Sequence, residues 1–194
     1  MKKLVLKSRQ ECFPMKMPGG VAARAVTQEK FEDVFRTLFK KVFPYDNPLW
    51  FRIPIKRRKG MKHLQDTYQQ LHHEYVVFYK NNKPIGWLMG ESEDLITFYI
   101  RNVGVLPRYQ NRGIYTAFLK KFLQYLNALK YERVTSNHKP TNRAVLISHL
   151  KVGFEVAGME LQENFGPLLK LVYIFYHDRK KSFYRQFGDK NNSE

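Results

Sequence analysis

The sequence predicts a single-domain α/β (α+β) protein built around a mixed β-sheet. Its 194 residues lie within the roughly 100–200 residues typical of one domain. The 43% hydrophobic and 15% aromatic content excludes a disordered, charge-dominated chain, which would be poor in aromatic residues. Short apolar runs alternate with amphipathic runs of helical period, and this alternation places helices against a sheet.

In the first half of the chain, the expected elements follow a basic N-terminal extension. Thr27 is typical of a helix N-cap, and the apolar residues after it recur at helical spacing until Pro44. Prolines and a Gly-Gly pair indicate a loop within the extension. The predicted segments are the extension at residues 1–20, a strand over 21–26, a helix over 28–43, an irregular stretch over 44–60 and a polar helix over about 61–73.

The second half of the chain has stronger strand signals. Asn81 and Asn82 tolerate a left-handed backbone and predict a hairpin turn between two strands. The predicted elements are strands over 75–79, 85–90 and about 95–106, a helix over 112–130, a strand over 131–136, a helix over about 141–151, and strands over 153–160 and 168–176. The predicted domain therefore covers residues 21–176, and residues 177–194 form a basic, polar tail.

The charge is strongly positive and unevenly distributed. The formal net charge is +17, which suggests nucleic acid, an anionic membrane surface or an acidic ligand as a partner. Residues 1–62 hold 16 Lys and Arg against 5 Asp and Glu. A cluster at 56–59, flanked by Arg52 and Lys62, accounts for part of this excess. The simpler interpretation is a solvated basic surface that keeps the protein soluble.

The cysteine count and the apolar runs predict the cellular compartment, and the spacing of the histidines bears on metal binding. Cys12 is the single cysteine, so an internal disulfide framework is excluded and a reducing compartment is expected. No apolar run approaches the roughly 20 residues that span a bilayer, and the N-terminus lacks the apolar core of a secretory signal. We therefore expect a cytoplasmic protein. The six histidines show no metal-ligand spacing, so no metal is predicted.

The most informative stretch runs from Val103 to Thr116. It combines the end of a strand, a loop that begins at Pro107 and the start of a helix. The first amides of a helix lack partners and lie at its positive end. Gly113 allows a ligand to approach the backbone, and Arg112 adds a positive charge. The sequence therefore predicts a site for phosphate or pyrophosphate.

This stretch also resembles motif A of the GNAT N-acetyltransferase superfamily, Q/R-x-x-G-x-G/A, through Gln110 and Gly113. Asn142, followed later by Gly153 and Phe154, resembles motif B of the same family. The resemblance implies a mixed, mostly antiparallel central sheet flanked by helices, and a site for acetyl-coenzyme A. The implied cofactor-binding residues are Val103, Gly104, Val105, Gln110, Asn111, Arg112, Gly113, Ile114, Tyr115, Thr116 and Asn142.

Two residues depart from the family pattern. Tyr115 stands where the family has Gly or Ala, so its ring either packs away from the pyrophosphate or narrows the slot. His149 stands where many members place a general-acid tyrosine. A histidine can donate a proton to a departing thiolate, so His149 is a candidate acid. The simpler interpretation is a hydrogen-bonded helix histidine.

Candidates for the general base, and for the residue that orients substrate or water, lie at strand ends. Glu91, with Glu93 and Asp94, is expected at a turn between two central strands and is a candidate base. The simpler interpretation of these three residues is a solvated hairpin turn. Asn102 precedes the motif A strand end and is a candidate for orienting substrate or water. Asn137 and His138 follow the next strand, on the edge where sites of α/β proteins cluster.

The resemblance implies a cytoplasmic N-acyltransferase that transfers an acetyl group from acetyl-coenzyme A to an amine within a ternary complex. Because the basic segment is expected to flank the acceptor, an anionic acceptor is predicted. A homodimer is left open. The alternatives are a non-catalytic module that binds coenzyme A or another ligand on the same fold, and a nucleic-acid- or ribosome-associated binding protein.

Overall fold

The computed structural model describes residues 2–45, 60–163 and 165–186. One eight-stranded sheet runs through the molecule. Its strands are β1 (Met15–Met17), β2 (Val21–Ala25), β3 (His73–Lys80), β4 (Lys83–Ser92), β5 (Thr97–Val105), β6 (Arg133–His138), β7 (Glu155–Gln162) and β8 (Gly166–Ile174). Six helices are described. They are α1 (Lys2–Cys12), α2 (Gln28–Val42), α3 (Lys62–Gln69), α4 (Ile114–Ala128), α5 (Arg143–Leu150) and α6 (His177–Gln186).

The order of strands across the sheet is β1-β2-β3-β4-β5-β6-β8-β7. Every neighbouring pair is antiparallel except β5 and β6, which are parallel. A parallel pair needs a crossover connection, and α4 supplies it. The predicted fold class, a mixed and mostly antiparallel sheet flanked by helices, is confirmed.

Two hydrophobic cores lie on opposite faces of the sheet. On one face, α4 buries Phe118, Phe122 and Leu126 against the sheet and α1. On the other face, α2 packs a row of phenylalanines against Trp87, which is fully buried. Thr27 caps α2 by accepting a hydrogen bond from the Lys30 amide at 3.3 Å. The two helices therefore hold the central strands from both sides.

The N-terminal segment, expected as a basic extension with a loop, contains α1 and β1. Val5, Met15 and Met17 are buried in the first core, and β1 pairs with β2. The sequence did not predict α1 and β1 because their apolar residues recur only at every third or second position. The basic residues between them hide this periodicity. Residues 2–20 therefore complete the sheet edge and cover the core.

A buried carboxylate ties α1 to the sheet. Glu74 on β3 is fully buried and accepts a hydrogen bond from Arg9 Nε at 3.1 Å. It also contacts His72 Nε2 at 2.8 Å and accepts a hydrogen bond from the Tyr125 hydroxyl. A buried charge is tolerated only when it is paired and hydrogen-bonded, and Glu74 meets both conditions.

Three element boundaries differ from the predictions. The polar helix expected over 61–73 ends at Gln69, because His73 already pairs with Glu91 across β3 and β4. Glu91 consequently lies within a strand rather than at a turn. The tail begins with α6, whose Arg179 pairs with Glu132 at 2.7 Å.

The basic cluster at 56–59 lies outside the described residues. No described helix is long and apolar enough to cross a membrane.

Replacement of Glu74 tests the anchor of α1. Glu74→Gln removes the charge that the partly exposed Arg9 pairs with, and losing a hydrogen bond to a charged group costs about 1.5–3 kcal/mol. Glu32→Gln is the control, because Glu32 forms an exposed pair with Arg36 within α2 and such pairs contribute about 0.3–0.5 kcal/mol. Urea unfolding measures both. Equal free energies of unfolding for the two variants would contradict the role given to Glu74.

Candidate active site

The site begins where β5 and β6 separate. Their ladder runs only from Thr97 and Arg133 to Ile100 and Ser136, although β5 continues to Val105. A bulge lies at the same place, because Met89 pairs with Asn102 while Gly90 pairs with Ile100. The extra residue on β5 is Arg101, and a bulge bends and twists the strand that carries it. The bend carries β5 away from β6 and opens a cleft.

Gly90 makes the bulge possible. A Cβ at this position would lie 2.5 Å from the ring of Phe98 and 2.6 Å from the carbonyl oxygen of Tyr99. Real Cβ atoms do not approach other heavy atoms so closely, so only glycine lets β4 follow the bent strand.

Beyond the bulge, the backbone of β5 has polar groups that face the cleft. The Leu106 amide donates to Ile85 on β4 at 2.8 Å. Because N–H and C=O groups alternate sides along a strand, those of Val103 and Val105 point away from β4. The Val105 carbonyl accepts a hydrogen bond from Gln110 Nε2 at 2.8 Å. The separated strand therefore offers hydrogen bonds to an extended ligand.

The loop after β5 leads directly into the first turn of α4. Asn111 and Gly113 both adopt left-handed conformations, with φ of 58° and 70°. A Cβ on Gly113 would meet nothing within 4 Å, so the side of the loop that it faces is open. The first amides of α4 lack intrahelical partners by position. An anion at this helix start would meet N–H donors and the exposed Arg112.

A cavity of about 510 Å³ follows the cleft through the sheet. Its lining includes the loop and α5, and also Phe43, Gln162 and Phe165. All eleven cofactor candidates line it, namely Val103, Gly104, Val105, Gln110, Asn111, Arg112, Gly113, Ile114, Tyr115, Thr116 and Asn142. The candidates that the sequence placed in two motifs thus meet on one surface.

Tyr115 and His149, the two departures from the family pattern, contact each other. The Tyr115 hydroxyl lies 3.3 Å from His149 Nε2, and its ring packs on Phe118 with centroids 6.4 Å apart. The ring therefore points into the first core. His149 is fully buried and its Nδ1 lies 2.9 Å from the Val145 carbonyl. That contact makes Nδ1 the protonated nitrogen and leaves Nε2 to accept from Tyr115.

This placement argues against the proton-donating role expected for His149. The residue does not line the cavity, and burial lowers its pKa to about 4. Burial and the neighbouring His149 together lower the pKa of His138 to about 3. Both imidazoles are neutral at physiological pH. The side chain of His149 fills the space between α4 and α5 and supports the ring of Tyr115.

Glu91 is a buried carboxylate that pairs with the exposed Arg101. It is 4% exposed and accepts hydrogen bonds from the Tyr68 hydroxyl and from Arg101, whose Nε lies 2.8 Å away. The bulged residue Arg101 lines the cavity, whereas Glu91 does not. Sequence reasoning missed Arg101, because a strand residue gives no signal of a bulge. The pair fixes the bulge and links α3 to the sheet through Tyr68.

Asn102 lies on the cavity wall next to the bulge. Its Oδ1 accepts a hydrogen bond from the buried Trp87 Nε1 at 2.7 Å, which fixes the amide. Within the described residues the amide nitrogen has no partner, so its N–H groups are available to a ligand. Asn137 and His138 line the opposite wall at the end of β6, as the sequence expected. Asp94, by contrast, accepts hydrogen bonds from the Ile96 and Thr97 amides and does not line the cavity.

The geometry defines a site for a long ligand with an anionic end. An unpaired strand edge suits an extended chain of amides, and the loop at Gly113 suits a pyrophosphate. The protein belongs to the Acetyltransferase (GNAT) family, whose sequence profile matches residues 36–154, more than half of the chain. It is an acyltransferase. No curated protein sequence matches the chain significantly.

Solved structures share this fold. RimL, a ribosomal L7/L12 alpha-N-protein acetyltransferase in complex with coenzyme A, aligns at 15% identity over 82% of this chain and 97% of its own, with a TM-score of 0.62. Mycobacterium smegmatis RimJ in complex with a coenzyme A disulfide aligns at 15% identity over 89% and 91%, with a TM-score of 0.60. A chimeric spermidine N-acetyltransferase SpeG from Vibrio cholerae aligns at 13% identity over 80% and 96%, with a TM-score of 0.58.

The buried histidines predict a pH dependence of stability. Between about pH 4 and 6.5 an unfolded histidine binds a proton, while His138 and His149 in the folded protein do not. The free energy of unfolding therefore falls as the pH is lowered through this range, by roughly 1 kcal/mol per pH unit for each histidine. Urea unfolding at several pH values measures it, and His149→Gln should reduce the slope. Imidazole signals of both residues that titrate near pH 6.5 would contradict the burial.

Proposed function

We propose that the protein transfers an acetyl group from acetyl-coenzyme A to a primary amine by direct attack within a ternary complex. The observation that carries the proposal is the separated edge of β5, with Val103 and Val105 facing the cleft, continued by the open loop at Gly113. Acetyl-coenzyme A supplies an activated acetyl thioester. The chain's own residues bind it, orient it and hold the acceptor amine nearby.

Binding roles follow from position along the cavity. The backbone of Val103 and Val105 would pair with the pantetheine arm, and the amides from Asn111 to Thr116, with Arg112, would hold the pyrophosphate. Gln110 would not contact the cofactor directly through its amide. Its side chain donates a hydrogen bond to the Val105 carbonyl and so fixes the loop relative to β5. Asn142, the N-cap residue of α5, also lines the cavity. These residues form the proposed cofactor site.

Tyr115 does not favour the non-catalytic alternative. A ring in the pyrophosphate slot would argue for a module that cannot use the cofactor, whereas the ring of Tyr115 packs inward on Phe118 and His149.

Direct attack, without a covalent enzyme intermediate, is supported by the position of Cys12. This residue ends α1 and does not line the cavity. Burial also raises the pKa of the Cys12 thiol, which disfavours the reactive thiolate.

The catalytic candidates take positioning roles in this proposal. Asn102 orients the acetyl group or a water molecule through its amide nitrogen. Glu91 holds Arg101 at the bulge, and His149 holds Tyr115. An anionic acceptor, a nucleic-acid partner, a homodimer and a cytoplasmic location stay predictions from the sequence.

Substitution of Gly113 tests the cofactor site. Gly113→Ala places a Cβ on the open side of the loop and strains a residue at φ 70°, so we expect coenzyme A to bind at least tenfold more weakly. Gly19→Ala is the matched control, because Gly19 has a φ of 71° and also no atom within 4 Å of a Cβ, yet lies outside the cavity lining. Both variants should lose roughly 1 kcal/mol of stability.

Isothermal titration and thermal shift measure the binding. With the unchanged protein, coenzyme A at a hundred times its Kd should stabilise the fold by about 2.7 kcal/mol. No stabilisation at millimolar coenzyme A would contradict the proposed function. Equal affinities of the Gly113 and Gly19 variants would contradict the placement of the pyrophosphate.

A further inference from the structure

Long stretches of the fold carry positive charge only. Three parts of the chain, residues 12–28, 75–90 and 95–131, hold ten Lys and Arg and no Asp or Glu. They supply β1, β2, β5 and α4, and most of β3 and β4. The part of the sheet around the β3–β4 hairpin is therefore built almost without carboxylates.

The β3–β4 hairpin brings three of these cations together. Lys80 and Lys83 lie opposite each other where the two strands join. Arg24, on the neighbouring strand β2, donates a hydrogen bond to Asn82 Oδ1 in the turn at 3.1 Å. The side chain of Arg24 therefore extends along β2 to the tip of the hairpin.

The loop after β5 adds a fourth cation. The Leu106 amide donates a hydrogen bond to the Ile85 carbonyl at 2.8 Å, which places the loop next to the start of β4. The guanidinium carbon of Arg108 lies 4.9 Å from the centre of the Tyr109 ring, and Lys80 Nζ lies 6.0 Å from the same centre. Both cations therefore lie against one ring. The hairpin patch consists of Arg24, Lys80, Lys83 and Arg108.

Aromatic rings hold the hairpin patch in place and leave its charge uncompensated. The guanidinium carbon of Arg24 lies 5.0 Å from the centre of the Tyr79 ring, as that of Arg108 does from Tyr109. Among the described residues, none of the four patch side chains forms an ion pair with a carboxylate. A cation over a ring keeps its charge. Because Arg24, Lys83 and Arg108 are also exposed, they are available to an anion.

Carboxylates gather at the opposite end of the same strands. That end holds the start of β3, the end of β4 and the starts of β6 and α2. Its acidic residues are Glu29, Glu74, Glu91, Glu93, Asp94 and Glu132. Glu160 lies on β7, the far edge strand of the sheet, and Glu163 follows it. The charge is therefore separated along the strands, with the hairpin patch at the positive end.

The hairpin patch suits phosphates better than lipids or bases. On the described residues of β2, the hairpin turn and the loop after β5, no large apolar side chain is exposed, whereas a membrane-surface site inserts such side chains into lipid. The rings of Tyr79 and Tyr109 carry cations, so they do not offer free faces to stacking bases.

The width of the hairpin patch matches a run of phosphates. Neighbouring strands lie about 4.8 Å apart, so the distance from β2 to β5 is about 14 Å. A nucleic-acid duplex carries one negative charge per about 1.7 Å of its axis. Several phosphates can therefore meet the four cations at once.

We propose that the hairpin patch is a docking surface for the phosphate backbone of a duplex nucleic acid, bound without base recognition. None of its four side chains lines the candidate active-site cavity, so this binding is a second function and does not depend on acetyl transfer. Tyr109 does line the cavity, which makes the two sites neighbours.

Fluorescence anisotropy with labelled 20-base-pair duplexes of unrelated sequence tests the proposal on the full-length protein. We expect binding in the micromolar range at about 50 mM salt, with affinities that differ by less than tenfold between sequences. The affinity should fall steeply as salt is raised, because phosphates that are neutralised by cations release counterions. Absence of binding at about 50 mM salt, or a larger sequence preference, would overturn the proposal.

Removal of the exposed patch cations shows where the duplex binds. The patch variant combines Arg24→Gln, Lys83→Gln and Arg108→Gln. Each phosphate contact contributes about 0.9 to the slope of log affinity against log salt. We therefore expect the slope to become about 2–3 smaller in magnitude and the affinity at low salt to fall at least tenfold.

The control variant removes the same charge from the opposite end of the sheet. It combines Lys30→Gln, Lys130→Gln and Arg185→Gln, all at exposed positions. We expect its affinity at low salt to fall less than threefold, and urea unfolding verifies that both variants are folded. Equal salt slopes in the patch and control variants would overturn the proposal.

Three further results would assign the hairpin patch to another occupant and overturn the nucleic-acid assignment. Competitive displacement of the duplex by coenzyme A would show that cofactor phosphates occupy the patch. Polyglutamate that binds as tightly as the duplex would indicate an acidic protein. Phosphatidylserine vesicles that bind the unchanged protein but not the patch variant would indicate a membrane surface. Failure to bind coenzyme A would overturn only the proposed acetyl transfer.

Discussion

The early end of the β5–β6 ladder is the constraint on which the site depends. Pairing stops at Ile100 and Ser136 because the bulge at Arg101 bends β5, and the bend requires glycine at position 90. The ion pair of the buried Glu91 with Arg101 then fixes the bulge. Both the unpaired strand edge and the cavity follow from this local break in an otherwise regular sheet.

The rest of the fold supports that break from both sides. On one face, α4 fills the first core and presents its N-terminus at the open end of β5, so the same element closes the crossover and supplies the proposed anion site. On the other face, α2 holds Trp87, whose indole N–H fixes Asn102. The N-terminal helix contributes through Arg9 and Glu74, which anchor α1 to the sheet.

Much of the fold could be predicted because its signals are local. Helical spacing marked α2 and α4, the Asn-Asn turn marked the β3–β4 hairpin, and Gln110 with Gly113 marked the loop. Arg101 and the surroundings of Glu91 could not be predicted, because a bulge is a property of pairing between strands. The interior position of Tyr115 against His149 was equally hidden, since it depends on two helices that meet only in the folded chain. The apolar residues of α1 and β1 were concealed by the basic residues between them.

Residue-resolved amide hydrogen exchange with and without coenzyme A tests the central claim most directly. If the cofactor pairs with the open edge of β5, the amides of Val103 and Val105 should gain protection, together with those from Asn111 to Thr116. The Gly104 amide should change little, because it faces β4. Protection confined to other strands, or equal changes at positions 103, 104 and 105, would contradict the account.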